Sequence, residues 1–428
     1  MKRLLLITLT LCLLTGNIAV GEDAAEDILT AFDGVNTLEY QLIYPDRAAQ
    51  DVEIPTDENG YVGFEDLLMG GDWDIAYVYA TDYDLAKLAE AVPLLDLSTQ
   101  EGYQEKFDMM YPKVQEAITV DGRMVALPTR LHAAVMQLQI VDKVTDGKGN
   151  ERDVRAQLGI TDADLPSTFS ELATFAVDYM ALPRETRKGT CFNTDIGKLT
   201  SSTSIHYYAD YLIDLYAHEV YDGSTPLNFD TPMFREGLDD IDRIMKAFKS
   251  DPKKNFGDNG SMCYVQSGSG SLEHDYINLR LGENQKISAS LGVMVINANT
   301  QHLAEALDYL AICYRSSMLD VGTSIYDRMT YDEMLDIIIV SQLELMPYYQ
   351  WDEHTMNEVQ KAQETREYSG MTSPEAAQAF RENVAPYLSF TVLPRVDAYK
   401  AVKGYANGNL SADEFIAKLN ALYAEALK

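Results

Sequence analysis

Residues 286–314 read KISASLGVMVINANTQHLAEALDYLAICY. The first part, 287–296, is largely apolar and β-branched with a single glycine, Gly292, which is the pattern of a strand buried on both faces. Four polar residues, 297–300, make a turn. Beyond them Leu303, Ala306, Leu307, Leu310, Ala311 and Tyr314 recur at spacings of three and four, so they share one face of a helix. A strand that runs into an amphipathic helix is the unit of an α/β fold, and many folds contain it.

The whole chain, 428 residues, can bury a large core, and its length predicts two or three domains. Its charge is lopsided: 34 basic against 67 acidic residues, or −33. That balance argues against nucleic acid and anionic lipid, both of which call for basic patches, and fits solubility outside the cell. The first twenty residues have the parts of a secretory signal: Lys2 and Arg3, an apolar run over 4–14, then small and polar residues. The run is too short to span a bilayer. Ala19 and Gly21 are small residues at the third and first positions before a cut, which makes Glu22 the expected mature start. Losing Lys2 and Arg3 leaves 32 cations against 67 acids, or −35. Cys12 is preceded by Leu9-Thr10-Leu11, with leucine where a lipid-attachment signal needs a small residue, so no tether is expected there. Cys191, Cys263 and Cys313 form no CxxC. Cys313 falls on the apolar helix face and reads as a small buried hydrophobe, while a Cys191–Cys263 disulfide stays open.

In order, 22–32 is expected to be a short helix with Ala25, Ile28 and Phe32 on one side, and 38–44, LEYQLIY, a strand. Residues 57–60 read as a turn and 64–69 as a helix. DIAYVYA, 74–80, is a buried strand, with Thr81 and Asp82 placed to cap a helix from near Tyr83. Residues 120–123, VDGR, carry hairpin-turn chemistry. A strand-like run over 131–141 leads into a charged loop, 143–153. Thr168 with Glu171, Thr330 with Glu333 and Ser411 with Glu414 each form the signature of a capping box. Thr231 and Pro232 open a helix whose core face is Phe234, Leu238, Ile241, Met245 and Phe248. Residues 261–271, SMCYVQSGSGS, read as a strand and a glycine-rich loop. Residues 352–367 read as a polar helix, and Phe415, Leu419 and Leu422 as the inner face of the last one.

Several separate phrases resemble extracellular solute-binding proteins of family 1, which serve carbohydrate ABC importers. They are LLDLS (94–98), ITVDGRMVALPTR (118–130), PSTFSEL (166–172), NFDTPMFREGL (228–238), SLGVMVINANTQHLAEALDYL (290–310) and SPEAAQAFRENVAPYL (373–388). The resemblance implies an α/β, two-lobed periplasmic-binding-protein-like fold of type II, with extra C-terminal helices. It divides the chain into a signal peptide, 1–21; a first part of lobe 1, 22–128; lobe 2, 129–286; a return to lobe 1, 287–329; and a helical segment, 330–428, packing on the lobes. Hinges fall near Pro128 and Gly292. Three departures stand out: Phe169 replaces the family's tryptophan, no tryptophan occurs in 261–271, and the signal sequence occupies the place of the first strand.

Ligands of open α/β sheets gather at the carboxyl ends of strands. Tyr79, Asp82 and Tyr83 are therefore the cleft candidates of lobe 1, and the resemblance adds Arg130 beyond the hinge. Tyr264, Ser267 and Gly268 are the candidates from lobe 2, with Tyr207 as a further aromatic. One aromatic face covering ~100 Å² of sugar contributes about 2–3 kcal/mol. Micromolar binding needs about 8 kcal/mol, so hydrogen bonds from both lobes must join it.

The expected function is capture of a small solute, a sugar or oligosaccharide, by hinge closure and delivery to an ABC permease. Phosphate-cradling loops of the Walker type are missing, which puts the ATPase on a separate chain. No cofactor, metal or nucleic acid is expected, and the protein reads as a monomer and not an enzyme. GxSxG and HExxH are both missing, although 67 acids leave a glycosidase pair open by counting alone. The alternatives are a non-sugar solute such as a peptide or polyamine, a sensor subunit, and an extracellular hydrolase.

Overall fold

The computed structural model describes residues 28–32, 37–53, 56–57, 60–61, 63–133, 137–140, 143–145, 151–187, 190–194, 202–249, 261–266, 276–282, 284–345, 353–368 and 374–426. The expectations for the secretory signal, Cys12, Ser267 and Gly268 fall outside them.

β1 (Ile28–Phe32) opens the described chain, followed by α1 (Thr37–Ile43) and β2 (Ala48–Asp51). Both early expectations are thus reversed. Ile28 and Phe32 are four apart, a spacing that satisfies strand alternation as well as a helical turn, so the pattern alone could not decide. Tertiary partners do. Thr30 donates from its backbone N–H and its Oγ1 to Asp74 Oδ2, both at 2.7 Å, while Leu29, Ala31 and Phe32 are all buried. In α1 the fully buried Tyr40 ring meets Tyr44, one turn on, at 5.2 Å and Tyr309 at 5.4 Å. The first strand implied by the resemblance is present after all, at 28–32.

A short hairpin, β3 (Thr56–Asp57) and β4 (Gly60–Tyr61), precedes α2 (Phe64–Gly70), β5 (Ile75–Tyr79), α3 (Leu85–Ala91), α4 (Tyr103–Met109) and α5 (Pro112–Ala117). The cap of α3 is Asp84, whose Oδ1 accepts from Ala86 N–H at 2.9 Å, and not Thr81 or Asp82. Those two stay with Tyr83 in a turn closed by Asp82 N–H and Tyr83 N–H on the Tyr79 carbonyl, at 2.9 and 3.0 Å. β6 (Thr119–Val120) and β7 (Arg123–Met124) pair through Asp121 and Gly122, whose φ values of 51° and 76° suit a two-residue hairpin. β8 (Leu127–Ala133) and β9 (Gln137–Ile140) follow almost without a break. The charged stretch expected as a loop is instead a hairpin stem, β10 (Lys143–Thr145) against β11 (Glu151–Asp153). Its alternation is polar on both faces, which hides it from a reading by hydrophobic period.

Next come α6 (Val154–Leu158), α7 (Phe169–Ala181), β12 (Cys191–Thr194), α8 (Ser202–Val220), α9 (Pro232–Lys249), β13 (Ser261–Gln266) and β14 (Tyr276–Asn278). The chain then returns through β15 (Ile287–Ile296) to α10 (Leu303–Ile325), α11 (Tyr331–Leu345), α12 (Glu353–Thr365), α13 (Pro374–Asn383), β16 (Leu388–Ser389), α14 (Tyr399–Ala406) and α15 (Ala412–Ala426). All three capping boxes form: Glu171, Glu333 and Glu414 each accept the N–H of the cap residue three before it. Cys313 is buried and in no disulfide; the side chains of Cys191 and Cys263 lie outside the description, though β12 and β13 are neighbours.

The fold is α/β and two-lobed, built on two sheets. The first has the order β2, β1, β5, β15, β8, with β16 pairing the start of β15. β1 runs parallel to β2 and β5, while β15 runs antiparallel to β5 and β8. Opposite Gly292–Val293 the register of β8 shifts by one residue at Thr129, directly after Pro128. A proline lacks the N–H that a ladder needs, and a bulge is where a strand tolerates that. The second sheet has the order β12, β13, β9, β14. Helices divide between the two. Tyr40 on Tyr309, and Tyr111 on Phe380 at 5.9 Å, tie α10 and α13 to the first half. Phe229 on Tyr423 at 5.0 Å and Phe234 on Phe415 at 6.4 Å tie α15 to the second.

Candidate functional site

Strand direction brings the two halves together at one level. β8 ends at Ala133 and β9 begins at Gln137, so the amino end of β9 marks the crossing. Gln266, the last residue of β13, and Asn278, the last of β14, both pair with Gln137. The carboxyl ends of β12, β13 and β14 therefore point toward the crossing, and so do those of β1, β5 and β8 in the first sheet. Carboxyl ends from both sheets thus lie toward the crossing, and the carboxyl ends of strands are where open α/β sheets bind ligands.

On the first-sheet side Gly292 pairs with Tyr79 across one edge and with Arg130 across the other. Two of the expected site residues are thereby set in one row with a glycine between them. A Cβ on residue 292 would overlap the Tyr77 hydroxyl and come 3.0 Å from Arg130 Cβ. Glycine is therefore what allows the Tyr77 phenol to lie across the row. Its ring stands edge-on to Tyr79 at 5.4 Å. The Tyr77 hydroxyl is sealed from solvent, with the Tyr79 hydroxyl and the Arg130 guanidinium as its polar neighbours. Burial pushes this phenol well above its ordinary range, so it stays a proton donor.

The turn after β5 holds the rest of this wall. Tyr83 stacks on Phe64 at 5.5 Å, and Phe64 meets Phe32 at the end of β1 at 4.8 Å. Arg395 lies over the other face of the wall, 4.7 Å from the Tyr83 centroid, and its Nη2 donates to the Asp82 carbonyl at 3.1 Å. Tyr79, Asp82 and Tyr83 are thus gathered in one turn, with Arg130 two strands away. Tyr77, Gly292, Phe64 and Arg395 were missed. A glycine inside a long apolar strand was a usable signal for close approach, and the YVY alternation places residues 77 and 79 on the same face. Nothing local marks Arg395.

On the second-sheet side, Tyr264 and Tyr276 both pair with Gln139, and Gln266 and Asn278 both pair with Gln137. By register these six positions share one face of the sheet, and Leu138, Ile140, Val265 and Ile277 share the other. Tyr207 falls in the first turns of α8; its side chain, like that of Tyr264, lies outside the description. Ser267 and Gly268 follow the carboxyl end of β13 directly.

A second polar cluster sits where β15 begins. His218 Nδ1 is 3.2 Å from Ser389 Oγ, and its Nε2 is 3.7 Å from Asp214 Oδ1. Asp214 Oδ2 is sealed from solvent, and the Ser288 hydroxyl is the hydrogen-bonding neighbour of this carboxyl among the described residues. Burial pushes the Asp214 carboxyl up to about 7, partly offset by the Ser288 hydroxyl. Burial, with the Lys286 ammonium nearby, brings His218 down to about 4. Next to it Glu219 accepts the N–H of Asn284 at 2.6 Å and of Lys286 at 3.2 Å, which fixes the entry of the return strand.

A concavity of 750 Å³ lies away from the strand ends, between α4, α10 and α11. The Lys106 ammonium on its wall is already stacked at 4.7 Å from Tyr103 and 5.2 Å from Tyr314. No group of three or more His, Cys, Asp or Glu poised to hold a metal occurs among the described residues. Nor is any described helix long and apolar enough to cross a membrane.

No family model and no curated protein matches the chain. Solved structures do resemble it. A sugar transporter from Rhizobium etli in an open conformation is 12% identical over 93% of this chain and 99% of its own, with a TM-score of 0.49. The apo-form of RafE from Streptococcus pneumoniae is 12% identical over 94% and 98%, with a TM-score of 0.48. An ABC substrate-binding protein from Listeria monocytogenes in complex with cycloalternan is 11% identical over 94% and 98%, with a TM-score of 0.46.

Proposed function

We propose that this protein is the extracellular solute-binding component of an ABC importer. It captures a small solute, a sugar or oligosaccharide, between its lobes and hands it to a membrane permease whose ATPase is a separate chain. The observation that carries this reading is the row Tyr79–Gly292–Arg130. It lies at the level where β8 and β15 cross between the sheets, with strand ends from both halves facing it. A ligand held from both sides favours closure only through contacts that the open form lacks. The six phrases that resemble family 1 agree with it.

The lobe boundaries follow from the same reading: lobe 1 first part to residue 128, lobe 2 over 129–286, return at 287–329, and a C-terminal segment over 330–428. Tyr79, Asp82 and Tyr83 would serve the ligand from lobe 1, Arg130 from just beyond the hinge, and Tyr207, Tyr264, Ser267 and Gly268 from lobe 2. Tyrosine rings at these positions would stack on sugar CH faces, while the glutamine and asparagine positions of β9, β13 and β14 match a hydroxyl-rich ligand.

A hydrolytic reading would begin from Asp214, His218 and Ser389, which lie in the order of a catalytic triad. The chemistry does not support it. Nε2 to Oδ1 is 3.7 Å, longer than a hydrogen bond, and an acid raised to about 7 does not stabilise an imidazolium lowered to about 4. Ser389 is 6% exposed and shares its hydroxyl with Thr391 at 3.1 Å.

A thermal-shift screen of sugars, peptides and polyamines tests the proposal, with scattering to follow closure. Stabilisation together with a smaller radius of gyration and no turnover is expected. Product formation abolished by Ser389→Ala would overturn it.

A further inference from the structure

An arginine from the far end of the chain covers the Tyr83 ring. That ring stacks on Phe64 at 5.5 Å, and Phe64 is backed by Phe32 at 4.8 Å, so one side of it leads only into the core. Over the other side lies the Arg395 guanidinium, 4.7 Å from the ring centroid. It also hydrogen-bonds the Tyr83 side chain and donates from Nη2 to the Asp82 carbonyl at 3.1 Å. Arg395 is exposed, and the Asp82 and Glu65 carboxylates act on it at longer range. A phenol and a carbonyl are looser holds than the carboxylates that grip Arg47, Arg366 and Arg381 at 2.5, 2.6 and 2.8 Å. A cation over an exposed ring shifts an equilibrium only about two- to fivefold. Four residues further on, the Tyr399 ring stands edge-on to His206 of α8 at 5.3 Å, and α14, which Tyr399 opens, packs on α8. Four residues span at most about 14 Å. Residues 395–399 are thus a short strap, fastened to the first half by Arg395 and to the second by Tyr399.

Resting on the solute-binding reading, we propose that Arg395 is a displaceable cover on Tyr83: an incoming saccharide takes the guanidinium's place on the ring, and its departure unfastens the strap from the first half. Both occupants are flat and both need the one face that does not lead into the core. A pyranose CH face brings apolar area to the ring, whereas the guanidinium returns to water at little cost because it is exposed already. A sugar that lies flat on the ring therefore wins the exchange, and one that touches only its edge does not repay the lost contacts, which makes the cover a filter as well as a fastening. The contact between guanidinium and ring belongs to the ligand-free form alone. Sugar and strap consequently weaken each other's hold by the same factor, which links arrival of the solute to the freedom of the last crossing.

The test is calorimetric titration of the full mature chain with maltotriose, raffinose and galactose, for the parent, Arg395→Ala, Arg395→Gln, Tyr83→Ala and Tyr83→Ala combined with Arg395→Ala. Arg395→Ala is expected to bind the best of these sugars about three- to tenfold tighter than the parent. Arg395→Gln, uncharged but keeping an N–H for the Asp82 carbonyl, should show a smaller gain. In the Tyr83→Ala background, Arg395→Ala should gain nothing. Unchanged or weaker binding by both arginine variants overturns the cover and leaves solute binding standing. A gain that persists without the Tyr83 ring overturns it as well, because the arginine then acts elsewhere. Should Arg395→Ala unfold below the titration temperature, Arg395→Gln decides in its place. No binding of any of these sugars by any of the five proteins overturns this proposal and the function on which it rests.

Discussion

The Tyr77 hydroxyl occupies the space that a side chain on residue 292 would need. A Cβ there would also come 2.9 Å from the Tyr77 ring carbon that carries the oxygen. Gly292→Ala should therefore push the phenol out of its row and lower both stability and ligand affinity. Most of that loss should return in Gly292→Ala with Tyr77→Phe, because removing the oxygen removes the nearest clash. A double-mutant cycle on urea midpoints reads the coupling, expected at about 1–2 kcal/mol; additive effects would show that the two residues do not share this space.

Asp74 joins three elements. Its Oδ2 accepts from Thr30 N–H and Oγ1, and its Oδ1 accepts from Thr300 Oγ1 at 2.5 Å. Asp74→Ala leaves those donors unpaired at the edge of β1, β5 and α10, and a loss of about 3 kcal/mol is expected in denaturant unfolding. A loss under 1 kcal/mol would mean that water replaces the carboxylate.

Asp214 makes the fold sensitive to pH. Its carboxyl is raised from the ordinary range, about 4 in an unfolded chain, to about 7 in the fold. Its favourable contribution is therefore complete below about pH 4 and is lost as pH rises through 7, because the unfolded chain releases the proton first. His218 acts in the opposite sense: lowered to about 4, it gives stability above its unfolded value that is lost as pH falls. Asp214→Asn isolates the first effect. The variant's Tm should gain on the parent between pH 4 and 8, and an equal difference at both ends would contradict this assignment.

Tyr83 stands between Phe64 and Arg395 at the end of β5. If this wall serves the ligand, Tyr83→Ala should lower affinity about thirtyfold or more, in line with one aromatic face at about 2–3 kcal/mol. Circular dichroism should stay unchanged, since Tyr83 is only half-buried. Calorimetry with the best ligand of the screen decides, and an unchanged Kd would remove Tyr83 from the site.

How far the sequence could be read depended on whether a residue's partner was local. β15 and α10, the hairpin at Asp121–Gly122 and the three capping boxes are specified by residues within a few positions of one another, and all were legible. Residues 28–32 were not, because a spacing of four fits two periods and the deciding partner, Asp74, lies 44 residues away. The wall of the site divides in the same way. Tyr79, Asp82 and Tyr83 follow from the end of one strand, whereas Arg395 reaches Asp82 across 313 residues. Tyr77 escaped because a buried tyrosine in a strand reads as core until the glycine opposite it is known.

The chain passes between its halves three times, the last through residues 390–398 on the way to α14 and α15. Phe229 and Phe234 of the second half are covered by Phe415 and Tyr423, which belong to the final helix. Neither half is therefore a continuous stretch that could mature ahead of the other during synthesis. The aromatic surface around Phe229 and Phe234 therefore stays open until α15 has been made, so the middle of the chain completes its core only after a segment nearly two hundred residues later is in place.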